Sequence, residues 1–441
     1  MPATLNLALV AALGDERVDW RHKAMAPAFW GMTVAEVRER RPRLSQLPTP
    51  LMTLSQPALD HNRDTVARWC AERRFELAPH GKTTMAPQLW AEQLDAGAWA
   101  ITVANPAQLG VARAYGVTRT MVANSVISPM ALQWIADEQQ AHPDIEIWVW
   151  ADAVRTVELM DEALNTRALH SGAAPAVHVL VERGGAGGRT GARDLATSLR
   201  VARAVAASPH LILGGVAGYE GALAHDCDEK SLQVVRAYLQ DLAEVHDQIV
   251  AAGLYDDAVP PVVTAGGSAF FDVVGEVLGP LVDTGTRVVL RSGAYVTHDD
   301  GFYRDISPLG SRPRTSGPAL RAAMHAWVRV TSQPEPGLAL FDAGKRDLPF
   351  DEGLPEVQLR RPRTSGDSPV PLDGVTVTAV NDQHGFLSFD PNGTPPVRIG
   401  DELRLGLSHP CTAFDKWTLV PVIDDPDVDD PVVVDLVRTW F

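Results

Sequence analysis

Short apolar and β-branched runs, each followed by a longer amphipathic segment, recur between about residue 74 and residue 293. The runs 74–79, 100–103, 120–124, 145–152, 176–184, 211–221, 261–268 and 286–293 read as strands, being short and bounded by turn residues. The segments between them read as helices with marked ends. In NPAQLGVARAYG, Asn105 suits the cap, Pro106 the first turn and Gly116 the stop, and SPMALQWIADEQQA repeats the device with Ser128 and Pro129. Eight such units over somewhat more than about 200 residues predict a (β/α)8 TIM-like barrel in preference to an open doubly wound sheet.

After about residue 305 the pattern changes. SPLGSRPRTSGP and RRPRTSGDSPVPLDG are loop-forming, and HAWVRVTSQ, GLALFDAG, GVTVTAVND and DELRLGL are strand-like, with no helix between them. The expected organisation is an N-terminal helical extension over 1–48, the barrel over 49–305 and a C-terminal β domain over 306–441. The run PLMTL at 50–54 suits a strand of either body.

Composition narrows the class. The chain has 441 residues, 45% hydrophobic and 21% charged, which is enough for two cores. A formal net charge of -16 without a basic cluster speaks against nucleic acid or an anionic membrane as partner. The opening apolar segment lacks a preceding basic region and a cleavage pattern, so it reads as an amphipathic helix. Three cysteines cannot build a disulfide framework, and a reducing cytoplasm is the expected compartment.

In a barrel of this kind chemistry collects where the strands end. Lys82 follows the first strand in FELAPHGKTTMAP, and the nucleotide-loop reading fails because Glu76 stands where the first glycine would be needed. The residue type is usually a solvated surface lysine. The apolar approach through Phe75, Leu77 and Ala78 favours burial instead, which destabilises an ammonium and leaves an amine able to attack a carbonyl. AGGS, after the seventh strand, is either a tight turn or a phosphate cup of backbone N–H groups. A lysine and a phosphate cup in one mouth suggest pyridoxal phosphate. ERGGAGGRTG is no dinucleotide fingerprint, since Thr190 replaces the third glycine, but it could turn Arg189 towards the phenolic oxygen of that cofactor.

SHPCTAFDKW places His409 and Cys411 two apart, so an extended segment would put both on one face as ligands of a divalent cation. AHDCDE gives His225 and Cys227 the same spacing, so spacing alone leaves either pair, or one joint Cys2His2 site, open.

Taken together, PHGKTTMAPQL, GGRTGAR, GYEG, TAGGS, NDQHGFLSF and SHPCTAFDKW, in that order, resemble the D-serine dehydratase and D-threonine aldolase group of pyridoxal-phosphate enzymes, whose barrel is of the alanine racemase type. The pattern spans 48 to 420, and HPCTAFDKW with NDQH is most similar to the bacterial branch of D-amino-acid deaminases and D-threo-3-hydroxyaspartate dehydratases. The resemblance implies Lys82 as the Schiff-base lysine and Gly266, Gly267 and Ser268 as phosphate contacts. It also implies Arg189, Tyr219 and Tyr295 beside the cofactor and His409 with Cys411 as ligands of a divalent metal, zinc by expectation. His225 and Cys227 then fall outside the site, while His384 could complete the metal shell or serve as a hydrogen-bonding core residue.

The implied activity is dehydration of a D-3-hydroxy amino acid such as D-serine, D-threonine or D-threo-3-hydroxyaspartate to a 2-oxo acid and ammonia. The alternatives are retro-aldol cleavage of the D-threonine aldolase type and a non-catalytic pyridoxal-phosphate carrier. The resemblance implies a homodimer.

Overall fold

A computed structural model describes residues 3–172, 175–256, 259–361 and 369–441. The strands up to the end of the barrel are β1 (Leu51–Ser55), β2 (Glu76–Leu77), β3 (Ile101–Val103), β4 (Arg119–Ser125), β5 (Glu146–Ala151), β6 (Val177–Arg183), β7 (Leu211–Gly218), β8 (Val262–Ala265) and β9 (Arg287–Leu290). β2 to β9 correspond to the eight runs read from the sequence. They pair in parallel in the order β2-β9-β8-β7-β6-β5-β4-β3. Just past β2 the ring closes: the Trp99 N–H donates to Leu77 O at 2.7 Å and the Thr102 N–H to Pro79 O at 2.9 Å.

The barrel is filled rather than hollow. Trp99, Trp148, Trp150 and Met121 occupy its interior, interleaved with Ala78, Ala100 and Ala217, so that large side chains from some strands meet small ones from others. Helices coat the outside, and several open as their sequence dictates. Asn105 accepts a hydrogen bond from the Gln108 N–H at 3.0 Å, with Pro106 in the first turn.

The second body is an antiparallel assembly of β10 (Met324–Glu335), β11 (Leu338–Phe341), β12 (Glu356–Arg361), β13 (Val370–Pro371), β14 (Thr376–Val380), β15 (Gly385–Ser388), β16 (Glu402–Gly406), β17 (Leu419–Ile423) and β18 (Val433–Arg438). Its main path runs β13-β12-β16-β10-β1-β17-β18, while β11, β15 and β14 continue from β10. The segment from 49, expected with the barrel, is therefore divided. β1 pairs with β10 and β17 in the second sheet, and only the helix Gln56–Glu72 returns to the barrel. A strand buried along its whole length must be covered on both faces and fits there, between β10 and β17.

The N-terminal segment contains short helices such as Leu7–Ala11 and Val34–Arg40, the latter opened by a capping box between Thr33 and Glu36. It does not project as an extension. Val18, Met25, Phe29, Val34 and Val37 pack against Leu51, Trp327, Leu419, Ile423 and Leu436, covering one face of the second sheet. Among the described residues no helix is long and apolar enough to cross a membrane.

Candidate active site at the barrel mouth

Lys82 lies in a single 3-10 turn, Gly81–Thr83, directly after β2. Gly81 is required by packing: a Cβ there would stand 2.8 Å from Ile101 Cγ2 and 2.9 Å from Trp90 Nε1. The glycine thus lets the turn settle onto the barrel wall and fixes where the lysine begins. Burial lowers the Lys82 pKa; the nearby Cys411 opposes that shift, and the positive charges of Arg189 and Arg291 reinforce it. The ammonium is accordingly easier to deprotonate here than on an exposed lysine. His80, one turn earlier, is likewise held well below the ordinary imidazole range by burial and by the charges of Lys82, Arg291 and Arg189.

The glycine-rich loop after β8 departs from expectation. The N–H groups of Gly266 and Gly267 donate to Oε2 and Oε1 of Glu220, both at 2.9 Å. Glu220 is fully buried, and a buried carboxylate needs such donors. The two amides read as phosphate contacts are thus already satisfied by a side chain that GYEG contained and that sequence reasoning passed over. Gly266 has φ +97°, and a Cβ would lie 2.3 Å from Leu290 Cδ1, so the glycine is needed for the bend of the loop. Ser268 is different: its Oγ is buried and has no partner among the described residues.

Arg189 and Tyr219 do come together. The guanidinium lies 4.7 Å from the centroid of the Tyr219 ring, a cation–π contact at the edge of the mouth. The loop that carries Arg189 is tied down by the Gly191 N–H donating to Asp152 Oδ2 at 3.0 Å and by the Thr190 hydroxyl donating to Glu182 Oε1 at 2.9 Å. Arg291 is buried at the end of the barrel. It donates to Thr264 Oγ1 at 2.7 Å and to Gly218 O at 2.6 Å, bracing the ends of β7, β8 and β9. Arg287 sits at the other end of β9, 3.8 Å from Glu76.

Three buried polar atoms in this region lack partners among the described residues: His80 Nδ1, Glu182 Oε2 and Ser268 Oγ. Buried polar atoms are nearly always hydrogen-bonded in native proteins, so the mouth is built for a polar guest. That donor and acceptor set, beside a largely buried lysine, fits pyridoxal phosphate.

The second domain delivers the other pair. The chain leaves β16, turns at Ser408 and enters the short helix Pro410–Phe414, with His409 at its cap in the left-handed region (φ 52°). His409 and Cys411 therefore converge through a helix start rather than through the extended segment the spacing suggested. Cys411 Sγ lies 3.5 Å from Thr83 Oγ1, next to Lys82. Burial would raise the Cys411 pKa, but hydrogen bonds from His409 and Thr83 and the charges of His409 and Lys82 bring it below the ordinary thiol value. Burial likewise opposes protonation of His409, while Cys411 and Asp351 hold it and raise it to about 9. A thiol inclined to ionise beside an imidazole is a donor pair suited to a borderline divalent cation. Among the described residues no group of three or more His, Cys, Asp or Glu is arranged as a ligand set.

Asp299, which sequence reasoning did not single out, holds this segment to the barrel. Its Oδ2 accepts the His409 N–H at 3.0 Å, and its Oδ1 accepts the N–H groups of Gly301 and Tyr303 at 3.1 and 2.8 Å. Burial raises its pKa to about 6 in spite of these donors.

Other expectations do not hold. Tyr295 is buried away from the mouth, its hydroxyl accepting from Gln93 Nε2 at 3.0 Å among the helices outside the barrel, so it is a core residue rather than a cofactor contact. His384 is exposed in the turn between β14 and β15 and is neither a core residue nor a neighbour of the His409 and Cys411 pair within this chain. Cys227 directs its thiol to Asp305 O at 3.8 Å, while His225 is exposed, in keeping with their place outside the site.

Residues 323–423 match the family model described as "Putative serine dehydratase domain". The chain is 24% identical to the D-threonine aldolase of Arthrobacter sp. over 88% of its length and 92% of that protein's. It is 24% identical to the 3-hydroxy-D-aspartate aldolase of Paracoccus denitrificans over 83% and 86%. Among solved structures, D-threonine aldolase from Filomicrobium marinum superposes with a TM-score of 0.72 at 22% identity, covering 90% of this chain and 97% of that one. D-threo-3-hydroxyaspartate dehydratase from Delftia sp. does so with a TM-score of 0.69 at 20% identity, covering 91% and 99%. Alanine racemase from Bacillus anthracis follows at a TM-score of 0.58 and 16% identity, covering 88% and 97%. The chain has the alanine racemase-like fold and is related to lyases named for D-configured 3-hydroxy amino acids.

Proposed function

We propose that the protein is a pyridoxal-phosphate- and divalent-metal-dependent lyase that converts a D-3-hydroxy amino acid to a 2-oxo acid and ammonia. The observation that carries this reading is the approach of Cys411 to Thr83, which sets the His409 and Cys411 pair beside Lys82 in one mouth. A carrier protein would have no use for that pair.

In this reading Lys82 Nζ holds the cofactor covalently, Ser268 Oγ is a hydroxyl donor to its phosphate, and Arg189 and Tyr219 flank it. When bound, pyridoxal phosphate withdraws electrons from the substrate Cα so that the proton there becomes acidic. Once the substrate amine has taken its place, the freed Lys82 Nζ would serve as the base for that proton, a role helped by the lowering of its pKa by burial. His409 and Cys411 hold a divalent ion, zinc by expectation, which as a Lewis acid would assist departure of the poor β-hydroxyl leaving group. The water lost in elimination is regained when the enamine product hydrolyses, so the net products are a 2-oxo acid and ammonia.

The dehydratase reading draws support from the solved D-threo-3-hydroxyaspartate dehydratase variants, one with a histidine and one with a cysteine replaced by alanine, the latter in a metal-free form. The two replaced positions are two residues apart, as His409 and Cys411 are here. The aldolase reading rests on the curated relatives, which are aldolases. Product analysis with D-serine, D-threonine and D-threo-3-hydroxyaspartate decides: ammonia with a 2-oxo acid supports elimination, and glycine with an aldehyde and no ammonia overturns it in favour of cleavage. The homodimer and the cytoplasmic setting belong to the same reading, and light scattering of the purified protein tests the first.

A further inference from the structure

Outside the residues already assigned, the loop before β12 places Asp351 against the proposed metal pair. Its Oδ2 lies 2.5 Å from His409 Nδ1, and its Oδ1 accepts the Thr412 hydroxyl at 2.6 Å. Thr412 Oγ1 is itself 3.3 Å from the same ring nitrogen. Both carboxylate oxygens are thus engaged by one turn of chain. An ionised carboxylate only accepts, so Nδ1 carries a proton, and the neutral imidazole that would ligate a cation keeps its lone pair on Nε2. The adjoining backbone is held as well: Ser408 Oγ donates to Glu352 O at 2.7 Å, and the His409 N–H donates to Asp299.

We propose that Asp351 is a positioning residue for the metal, fixing the His409 imidazole so that Nε2, together with Cys411 Sγ, faces a divalent cation. The inference rests on the metal-dependent reading above and names the carboxylate that makes it work. A carboxylate on the far nitrogen fixes the tautomer and the ring plane and makes the ligating nitrogen more basic, and loss of such a partner costs about 10–100-fold in metal affinity. The alternative role, a stabilising surface pair, is weak here. The side chains of Asp351 and His409 are 40% and 24% exposed, and exposed pairs add little to stability. Stability and metal affinity should therefore separate on substitution.

Titration of the purified holoenzyme with Co2+, followed by its visible bands and by the thiolate-to-metal charge-transfer band, tests this. Asp351→Asn is expected to weaken Co2+ binding about 10–100-fold while reaching the same charge-transfer intensity at saturation, because Cys411 is intact. Asp351→Glu should recover part of the affinity. Thr412→Val should weaken binding in the same direction by a smaller factor, and serves as the probe if the Asp351 variants fail to fold. Wild-type affinity in Asp351→Asn, with binding lost in Cys411→Ala, overturns the positioning role and leaves the metal reading standing. Equal binding in Cys411→Ala, or no binding by the wild type, overturns both.

Discussion

Thr83 and Cys411 stand 328 positions apart in the chain and meet at 3.5 Å. Thr83 follows the lysine at the end of a barrel strand, and Cys411 lies in the first turn of a helix from the second domain. The contact brings an amine and a soft ligand pair into one cleft, and the predictions below follow from it and from the contacts behind it.

Reduction of the freshly purified protein with borohydride should fix one pyridoxal phosphate per chain, seen as an added mass on the peptide containing Lys82. Lys82→Ala should show no such addition, and turnover should fall by more than about 10²-fold, the scale of losing a positioned base. Undiminished turnover would remove Lys82 from the mechanism.

Cys411→Ala, or treatment with a chelator, should reduce ammonia release from D-serine by about 10²-fold or more, since Lewis-acid assistance is worth several kcal/mol. The mass added by borohydride should be unchanged, because the lysine is intact. Retained 2-oxo acid production in both experiments would eliminate the metal from the scheme.

Ser268→Ala removes the one unpartnered hydroxyl of the glycine-rich loop. A hydrogen bond to a charged group is worth about 1.5–3 kcal/mol, so the dissociation constant for pyridoxal phosphate should rise about 10- to 100-fold, measured by fluorescence titration of the apoprotein. An unchanged constant would place the phosphate elsewhere.

Glu220→Ala strands the buried amides of Gly266 and Gly267. Each orphaned donor costs about 1–3 kcal/mol, so the variant should unfold at a lower temperature and lose cofactor faster in dialysis. Glu220→Gln, which keeps one acceptor oxygen but turns an NH2 towards the second amide, should fall between the two. A wild-type melting curve for Glu220→Ala would show that the loop does not depend on the clamp.

Stability should also report on His325, a buried residue of β10 whose Nδ1 has no partner among the described residues. Burial, aided by the charge of Arg404, pushes its pKa down from 6.5 to about 3. Between those values the unfolded chain binds a proton that the folded chain does not, so stability is lost as pH falls through that window. The slope is about 1.4 kcal/mol per pH unit for a single group. Urea titrations from about pH 6 to about pH 4 should show His325→Gln with a shallower loss than the wild type by about that slope, and identical slopes would mean that the folded protein already protonates His325.

The barrel was legible because each strand run is short, apolar and bounded by its own turn residues, as 211–221 and 261–268 illustrate, and because such patterns reflect local burial. Lys82 could be read for the same reason: it follows an apolar approach that implies a desolvated amine. Tyr295 misled, since nothing in RSGAY says whether the ring points into the mouth or out among the helices; its bond with Gln93 decides that, and Gln93 lies 202 positions away. The glycines of AGGS misled in another way. Their composition foretold a bend with exposed amides, but the buried carboxylate of Glu220 takes those amides.

By itself the order of residues determined which segments become strands and where they stop, because each of these depends on neighbours within a few positions. Only the folded chain decided that β1 joins the second sheet, that Glu220 clamps the loop, and that Asp299 and Asp351 hold His409. Those partners are chosen by whichever distant group can satisfy a buried donor or acceptor, and that choice exists only once the two bodies have packed together.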